Sequence, residues 1–366
     1  MHPHSVPSPR HRSRLGFVPG AAPGALNVEP NAAPPVLQAI AYHGDDFVEK
    51  RLAAPQDVLE LLRDWPITWL NVAGLGNADV LNELGKIFGL HPLALEDVTH
   101  LHQRAKVEQY GEQLFIVARM PRRDEDFETE QLSLFVGKNY LLTFIEDPGD
   151  CFESVRTRLR GGGPLREAGP GYLAYGLIDA VVDAYFPVVE TFAERLDRLE
   201  DRVIARPSRR AVAEIHAAKH SLRSVRRIVW PLREAVNSLV RDPSPLIDDN
   251  TRVHLRDCYD HLVQIIDLVE TYRELCSDLT DLYLSSLSNR MNEVMKVLTI
   301  IATLFMPLSF ITGLYGMNFH TERSRWNMPE LDWRYGYPFA LGMMALTALG
   351  MLWYFWHKGW LSNGKT

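Results

Sequence analysis

The segment from Val297 to Phe319 reads VLTIIATLFMPLSFITGLYGMNF and contains no Lys, Arg, Asp, Glu or His. A helix needs about 20 apolar residues to cross the hydrocarbon core of a bilayer, which is about 30 Å thick. A second apolar segment, from Pro338 to Trp356, is also long enough and ends in aromatic residues typical of the membrane interface. We therefore predict two C-terminal transmembrane helices. The alternative is a pair of helices buried in a soluble core, but such helices seldom reach this length without a charge.

The order of the segments predicts the topology of the chain. The loop between the spans is predicted at residues 320–337, the second span at residues 338–357 and a short tail at residues 358–366. Both termini should therefore lie on the same side of the membrane. Residues 1–35 lack the apolar core of a secretory signal, so the charged body and both termini are predicted in the cytoplasm. The chain is thus predicted to be a multi-pass protein of the inner (plasma) membrane.

Charge is unevenly distributed along the chain. Its 366 residues include 39 Lys and Arg and 46 Asp and Glu, which gives a formal net charge of −7. Residues 297–366 hold only five of the basic and three of the acidic side chains. The remaining body is therefore acidic, which argues against nucleic acid as a partner and favours cations and a lipid bilayer. Three Cys without a CxxC motif exclude a disulfide scaffold and a Cys-based zinc site.

Residues 36–165 have the pattern of an α/β domain. Runs of β-branched and aromatic residues between turn residues predict seven strands: Val36–Tyr42, Phe47–Leu52, Ile67–Val72, Lys106–Gln109, Leu114–Met120, Leu132–Val136 and Tyr140–Ile145. Helical spacing predicts two helices, Ala54–Asp64 and Asn77–Phe88. Residues 1–35 contain eight Pro and no apolar period, and are predicted to be a disordered tail. The domain has no Gly-rich phosphate loop, nucleophile elbow or HExxH motif, so no enzyme is predicted.

Helical periodicity replaces this pattern in the second half of the chain. Residues 166–249 are predicted to form a helical hairpin of the cytoplasmic domain. Residues 250–319 are predicted to form one stalk helix that continues into the first span, because no Gly or Pro occurs between Thr251 and Pro307. A helix of about 60 residues is about 90 Å long, and its apolar stripe must pack against the hairpin or against other copies of the chain. The hairpin helices are predicted to end near Ala205 and Arg241.

The first span carries small, polar and flexible residues on one side. These residues are spaced by three or four positions: Asn292, Met295, Thr299, Ala302, Met306 and Ser309. Small residues also collect where two membrane helices touch, so a helix–helix contact is the alternative. What favours a pore is the sequence Tyr315-Gly316-Met317-Asn318 that follows. The Gly ends the helix, and a ring of Asn amide oxygens from several subunits would face a cation at the outer mouth.

Tyr315-Gly316-Met317-Asn318 at the end of the first of two C-terminal spans resembles the signature of the CorA family of magnesium channels. Together with other matching segments, the resemblance to this family extends over about residues 36–361. The further matching segments are Thr68–Val72, His91–Asp97, His102–Arg104, Lys106–Glu108, Trp230–Glu234, Arg256–His261, Asn292–Lys296 and Met328–Leu331.

The resemblance implies a homopentameric, funnel-shaped channel. It would have an α/β cytoplasmic domain, a long stalk helix lining a central pore, and an outer ring of second spans. Asn318 would form the selectivity filter, backed by Gly316 and Met317. The implied ion is magnesium, with cobalt as a second cargo. The implied pore-lining residues are Asn292, Met295, Leu298, Ala302, Met306, Ser309 and Thr312.

The resemblance also implies a metal sensor in the cytoplasmic body. Asp97 and Asp257 match the acidic positions at which divalent cations bind between subunits and close the channel, and Glu96 and Asp179 are expected to assist. Two facing carboxylates would repel each other until a divalent ion bridged them, so ion binding would shift the population towards the closed assembly. Because Mg²⁺ loses its water reluctantly, a pore of neutral amides and hydroxyls suits its passage better than an acidic ring.

Three other functions stay open. The cargo could be Co²⁺, Ni²⁺ or Zn²⁺, although related zinc transporters of the ZntB type replace the Gly-Met-Asn tripeptide that this chain keeps. The chain could be a non-conducting membrane scaffold, which the polar side of the first span argues against. A membrane-tethered enzyme is the third, but His261 and the scattered acids show no metal-ligand spacing. The outer loop departs from the family pattern because it is longer and carries Arg323 and Arg325.

Overall fold

The computed structural model describes residues 24, 26–29, 31–122, 127–317, 324, 326–329 and 333–361. The chain divides into two compact units. The first comprises Met1–Asp201 and Arg209–Leu279, and the second comprises Arg202–Ser208 and Thr280–Thr366.

A seven-stranded sheet forms the centre of the first unit. Its order is β2-β1-β3-β7-β6-β5-β4, in which β3 and β7 pair in parallel and all other neighbours are antiparallel. The seven predicted strands are confirmed, and the largest difference is that β6 begins three residues earlier than expected. The strands are β1 Val36–His43, β2 Asp46–Leu52, β3 Ile67–Ala73, β4 Lys106–Tyr110, β5 Gln113–Pro121, β6 Thr129–Val136 and β7 Tyr140–Ile145.

Both predicted helices of this unit form. The first begins with a short 3₁₀ turn and continues as α1, Val58–Asp64. The second is α2, Ala78–Phe88, whose N-terminus is capped by the Asn77 side chain accepting hydrogen bonds from two backbone amides. Three short helices were missed, because segments of four to nine residues are too short for a clear helical period. They are α3 Pro92–Thr99, α4 Glu153–Gly161 and α5 Pro164–Glu167.

The hairpin contains three helices rather than two. The first predicted helix is divided into α6, Pro170–Asp183, and α7, Tyr185–Ala205. Pro187 explains the division, since it lacks the N–H that would bond to the carbonyl of Asp183. α6 is buried over most of its surface and packs on β5, β6 and β7. α8, Arg209–Arg241, packs on β4 and β5, and the predicted ends at Ala205 and Arg241 are confirmed.

A single helix, α9, extends over Asp249–Tyr315 and confirms the predicted continuity of stalk and first span. The second span is α10, Gly336–His357. Among the described residues, three helical segments are long and apolar enough to cross a membrane: α9, α10 and Pro170–Ala205, which combines α6 and α7. Of its most apolar window 56% is buried within the protein, compared with 0% for α9 and 6% for α10. Packing on the sheet therefore accounts for the apolar character of α6. The other two helices, α9 and α10, are the candidate membrane spans.

The N-terminal segment approaches the body more closely than expected for a tail over residues 1–35. The Gly76 amide donates a hydrogen bond to the carbonyl of Ala33 at 2.8 Å, and Leu26 and Val28 pack against the core. A Cβ atom at Gly76 would lie 2.4 Å from the carbonyl oxygen of Ala32, so only Gly permits this approach. Residues 1–23, 25 and 30 lie outside the described residues.

Candidate ion pathway and metal-binding side chains

One side of α9 in the second unit is exposed and uncharged. Met295, Leu298 and Met306 have exposed fractions of 57%, 60% and 71%. They follow one another at three- and eight-residue intervals, which keeps them on one side of a helix of 3.6 residues per turn. The other predicted pore residues, Asn292, Ala302, Ser309 and Thr312, are exposed as well.

The opposite side of α9 is half-buried, and so is one side of α10. In α9 the half-buried positions are Ile300, Leu304, Pro307, Leu308 and Ile311. In α10 they are Ala340, Met343, Met344, Thr347, Ala348 and Met351. Both sets repeat every three or four residues, as expected for two helices packed side by side. α9 therefore faces α10 with one side and leaves the side with the predicted pore residues free.

Thr312 lies at the border between these two sides. Its hydroxyl donates a hydrogen bond to the carbonyl of Leu308 at 2.8 Å and lies 3.5 Å from the sulfur of Met344 on α10. It is thus the predicted pore residue nearest to the second span. Its hydroxyl hydrogen is used within the helix, so the oxygen lone pairs take no part in that bond.

The end of α9 is closed by Gly316. Its amide donates to the carbonyl of Thr312 at 2.9 Å, and a Cβ atom at this position would lie 3.1 Å from that carbonyl oxygen. A larger residue would therefore push against the last helical turn. Met317 follows and is 45% exposed. The predicted filter residue Asn318 lies outside the described residues.

Asp97 of α3 is already paired inside the first unit. Its carboxylate accepts hydrogen bonds from Gln103 Nε2 and Lys106 Nζ, both at 2.6 Å. Lys106 also donates to Glu108 at 2.9 Å. Burial lowers the pKa of Lys106, but the hydrogen bonds to Asp97 and Glu108 outweigh it and raise that pKa above its ordinary value. Lys106 is therefore a fixed positive charge beside Asp97.

This pairing changes the expectation that Asp97 carries an uncompensated charge until a divalent ion arrives. An arriving cation would have to compete with the Lys106 ammonium rather than only relieve repulsion. Glu96 is engaged as well, because its carboxylate accepts a hydrogen bond from the Gly24 amide at 2.7 Å and lies 3.9 Å from His100 Nδ1. Within the described residues of one chain, no hydrogen bond or ion pair joins Asp97 to Asp257.

A second acidic group lies between α6 and α9. Asp179 and Asp183 are one turn apart on α6, and ligand atoms of these two residues and His261 of α9 lie within 4.8 Å of one another. Asp257 is one turn before His261, with Oδ2 at 4.0 Å from Nε2. Burial and the charge of Asp179 raise the pKa of Asp183, with a further contribution from Asp257. The cluster is therefore a place where a cation would lower the electrostatic energy.

Cys258 of α9 lies beside this cluster and contacts Asp179. Its thiol is buried and donates a hydrogen bond to Asp179 Oδ1 at 3.3 Å. Burial and the charge of Asp179 raise the pKa of the thiol, so it stays neutral and acts as a donor. One oxygen of Asp179 is thus held, and the other is left for a ligand.

These features agree with the comparison to known proteins. The family model described as "CorA-like Mg2+ transporter protein" matches residues 66–358, which is most of the chain. The chain belongs to the CorA family.

Individual relatives agree with this assignment. A protein of Thermotoga maritima named "Cobalt/magnesium transport protein CorA" is 45% identical over 329 residues, which cover 89% of this chain and 92% of the relative. A protein of the same name from Methanocaldococcus jannaschii is 25% identical, with coverage of 81% and 92%. The solved structure of the CorA magnesium transporter from that organism matches with a TM-score of 0.74 at 24% identity, covering 88% of this chain and 98% of that one. The CorA fold is therefore common to both chains.

Two members of the acidic cluster were missed in this CorA chain. Asp183 is not among the residues predicted from the sequence to bind a metal, and His261 is predicted there to lack partners with metal-ligand spacing. The signal was present, since Asp179 and Asp183 are four residues apart and so are Asp257 and His261. Each pair lies on one side of its helix. What remained hidden was the packing of α6 against α9, which brings the two pairs together.

The two groups of candidate metal ligands, one around Asp97 and one around His261, have donor atoms that favour different ions. Asp97, Glu96, Asp179 and Asp257 offer carboxylate oxygens, the ligands that Mg²⁺ prefers. His261 adds an imidazole nitrogen, which suits Co²⁺, Ni²⁺ and Zn²⁺ better than Mg²⁺. Both groups could therefore hold a divalent cation, and the cluster with His261 is the more tolerant of transition metals.

Proposed function

We propose that the chain is a magnesium channel that mediates influx of Mg²⁺ across the plasma membrane, with Co²⁺ as a second cargo. The observation that carries the proposal is the exposed, uncharged side of α9 that leads to Gly316-Met317-Asn318. The name of the Thermotoga relative, which includes both magnesium and cobalt, supports the choice of ions. The large acidic body and both termini are taken to be cytoplasmic.

The uncharged pore face suits an ion that keeps its water. Mg²⁺ prefers octahedral oxygen ligation and dehydrates reluctantly, so it is best passed with its hydration shell in place. Amide and hydroxyl groups such as those of Asn292, Ser309 and Thr312 can hydrogen-bond to that shell without holding the ion tightly. A ring of carboxylates would slow release of a divalent cation.

The pore requires several copies of the chain. One helix face cannot enclose an ion, and we take the assembly to be a homopentamer in which the α9 faces surround a central axis. The side of α9 opposite to α10 is the one available for this role. In this assembly α10 would lie outside α9, against lipid.

Flux through purified protein in liposomes tests the proposal. We expect Mg²⁺ influx when internal Mg²⁺ is low, and a loss of at least about tenfold in Asn318→Ala, because the ring of amides at the outer mouth is removed. Asn237→Ala, which removes an amide from α8, is the matched control and should conduct normally. Equal flux in Asn318→Ala and in the unchanged protein would contradict the filter, and no flux of any divalent ion would favour a scaffold.

The same assay decides which ion is carried. A panel of Mg²⁺, Co²⁺, Ni²⁺ and Zn²⁺ should give the fastest flux for Mg²⁺, followed by Co²⁺. Faster flux of Ni²⁺ or Zn²⁺ would favour the alternative of a transition-metal transporter. The imidazole of His261 in the cytoplasmic cluster is the specific observation that favours this alternative.

Internal Mg²⁺ is proposed to close the channel by binding to Asp97 and Asp257, assisted by Glu96 and Asp179. What supports this role is the supply of carboxylate oxygens, with ligand atoms of Asp179 and Asp183 within 4.8 Å of each other. Burial, and after it the charge of Asp179, raises the pKa of Asp183. A bound cation would relieve that charge and favour the closed state.

Replacing both sensor carboxylates should weaken this inhibition. In Asp97→Ala/Asp257→Ala we expect the channel to stay open at millimolar internal Mg²⁺ and the half-inhibitory concentration to rise by about tenfold or more, which corresponds to about 1.4 kcal/mol. The control is Glu112→Ala/Glu167→Ala, which removes two exposed carboxylates of the same unit. Unchanged inhibition in the first variant would remove the sensor role.

A further inference from the structure

The helix α8 is strongly basic in a chain that is acidic overall. Between Arg209 and Arg241 it contains eight Lys and Arg but only two Glu, whereas the whole chain has a net charge of −7. Arg223, Arg226 and Arg227 lie near its middle, followed by Trp230. Because these positions are spaced by three, four and seven residues, they share one side of the helix. Ion conduction and the carboxylate sensor make no use of this side.

An open cavity of about 380 Å³ lies over this side. Its walls combine α8 with the loop between α3 and β4, which contributes Arg104. The volume is within the range of small-molecule sites, which begins at about 300 Å³. The cavity is lined by Arg104, Arg223, Arg226, Arg227, Trp230 and Pro231.

Most of the positive charge in this cavity is uncompensated. Arg226 Nε forms an ion pair with Glu270 of α9 at 2.6 Å. The side chains of Arg104, Arg223 and Arg227 form no ion pair or hydrogen bond with any described residue, and all three residues are exposed. Several guanidinium groups held around one concave space repel each other, and an anion bound between them would remove that repulsion.

The residue types indicate which anion fits. Guanidinium groups bind phosphate oxygens with two parallel hydrogen bonds, which is why Arg is favoured at phosphate sites. The arginines come from two separate elements, so a ligand that spans several phosphates can engage more of them than a single phosphate can. Trp230 is 42% exposed, and the guanidinium groups of Arg233 and Arg226 lie 4.1 Å and 5.6 Å from the centre of its ring. The exposed part of the indole could contact a flat ring.

We propose that this cavity, the arginine pocket of α8, binds a soluble polyphosphate anion: an inorganic polyphosphate or the phosphate chain of a nucleoside triphosphate. The shared chemistry is a run of two or more phosphates held by Arg104, Arg223 and Arg227. The site is distinct from the carboxylate groups described above and does not depend on ion conduction.

Equilibrium dialysis of the full chain in detergent tests the proposal, with labelled tripolyphosphate and ATP as probes and with EDTA present to remove divalent ions. We expect saturable binding of one ligand per chain that weakens as salt is added. Arg223→Ala/Arg227→Ala should lower the affinity at least about tenfold. Arg209→Ala/Arg210→Ala removes the same charge from the same helix outside the pocket and should change the affinity by less than about twofold. Arg223→Lys/Arg227→Lys keeps the charge but not the two-pronged geometry, so an intermediate affinity is expected.

The probes distinguish the two sources of the phosphate chain. Equal affinity for tripolyphosphate and ATP supports recognition of phosphates alone. Tighter binding of ATP that is lost in Trp230→Leu supports a nucleotide whose base stacks on the indole. Absence of saturable binding below about 1 mM would overturn the proposal. The same result is expected if an acidic segment of a neighbouring copy fills the pocket. Equal losses in the pocket variant and in Arg209→Ala/Arg210→Ala would overturn it too, because they indicate attraction to overall charge.

Discussion

Asp97 illustrates how one neighbour sets the chemistry of a carboxylate. Without a cationic neighbour, its carboxylate would carry an uncompensated negative charge that favours binding of a divalent cation. With Lys106 Nζ at 2.6 Å it already has a cationic partner, and both side chains are only 18% and 28% exposed. Limited exposure strengthens the attraction relative to that of a surface ion pair. The ammonium group therefore competes with Mg²⁺ and raises the concentration at which the proposed sensor responds.

Replacement of Lys106 tests this competition. Lys106→Met keeps the length of the side chain and removes its charge, so Asp97 should bind Mg²⁺ more tightly. We expect the internal Mg²⁺ concentration that halves the flux to fall by about tenfold, which is about 1.4 kcal/mol. Lys50→Met is the control, because Lys50 pairs with Glu60 at 3.5 Å at a surface position on β2. An unchanged or higher half-inhibitory concentration in Lys106→Met would show that the ammonium does not oppose the metal.

The candidate site could be predicted from sequence only where a motif or a spacing marks it. Asn318 and Asp97 belong to segments that resemble a family, so they could be named. The link between Asp97 and Lys106 could not, because it depends on how the loop after α3 folds back towards β4. His261 could not be assigned to a metal site for the same reason, since its partners Asp179 and Asp183 are on another helix. Contacts between distant segments leave no local pattern.

At the scale of elements, strands and long helices were predicted well because their patterns are local. The seven strands have short apolar runs between turn residues, and α9 has an apolar period with no Gly or Pro between Thr251 and Pro307. Elements with few residues were missed, such as α3 and α5. The break between α6 and α7 was missed because the apolar period continues across Ala184, while Pro187 interrupts the backbone hydrogen bonds.

The two sides of α9 differ in exposure, and a substitution on the exposed side tests its proposed role in the pore. Met306 is 71% exposed on the side opposite to α10. If copies of α9 surround a pore, its side chains form an apolar ring from which water withdraws when the pore is narrow. Met306→Ser would hydrate this ring, so we expect the leak of Mg²⁺ at inhibiting internal concentrations to increase several-fold in liposome flux.

The control for this substitution is Leu346→Ser on α10. Leu346 is 75% exposed and is not among the half-buried positions of α10, so it would face lipid in the proposed assembly. A serine there should leave the leak unchanged. Equal leaks in the two variants would mean that the effect arises from general loosening of the helices, and an unaltered leak in Met306→Ser would argue against a gate at this position.

At the scale of the whole molecule, the proposed assembly of several copies would account for two features that a single chain leaves unexplained. The free side of α9 carries Asn292, Ser309 and other polar or small residues that gain nothing from contact with lipid. The Asp97 carboxylate and Asp257 are not joined within one chain, although both match the proposed sensor. The proposed homopentamer would provide neighbours for both features. It would also make the proposed response to Mg²⁺ a property of the assembly, because the ion would bind where two copies meet.

Hydrogen exchange on the full-length assembly tests this last step. Native mass spectrometry should first give a mass of about five times the 41.7 kDa chain. Removal of Mg²⁺ should then increase amide exchange around Asp97 and Asp257, because the cation that links these segments is lost. The central strands β3 and β7 should be unaffected, since their hydrogen bonds lie inside one subunit. In Asp97→Ala/Asp257→Ala the exchange at both segments should no longer depend on Mg²⁺. A Mg²⁺ effect that persisted in this variant, or that spread evenly over the sheet, would place the cation elsewhere and separate its binding from the subunit boundary.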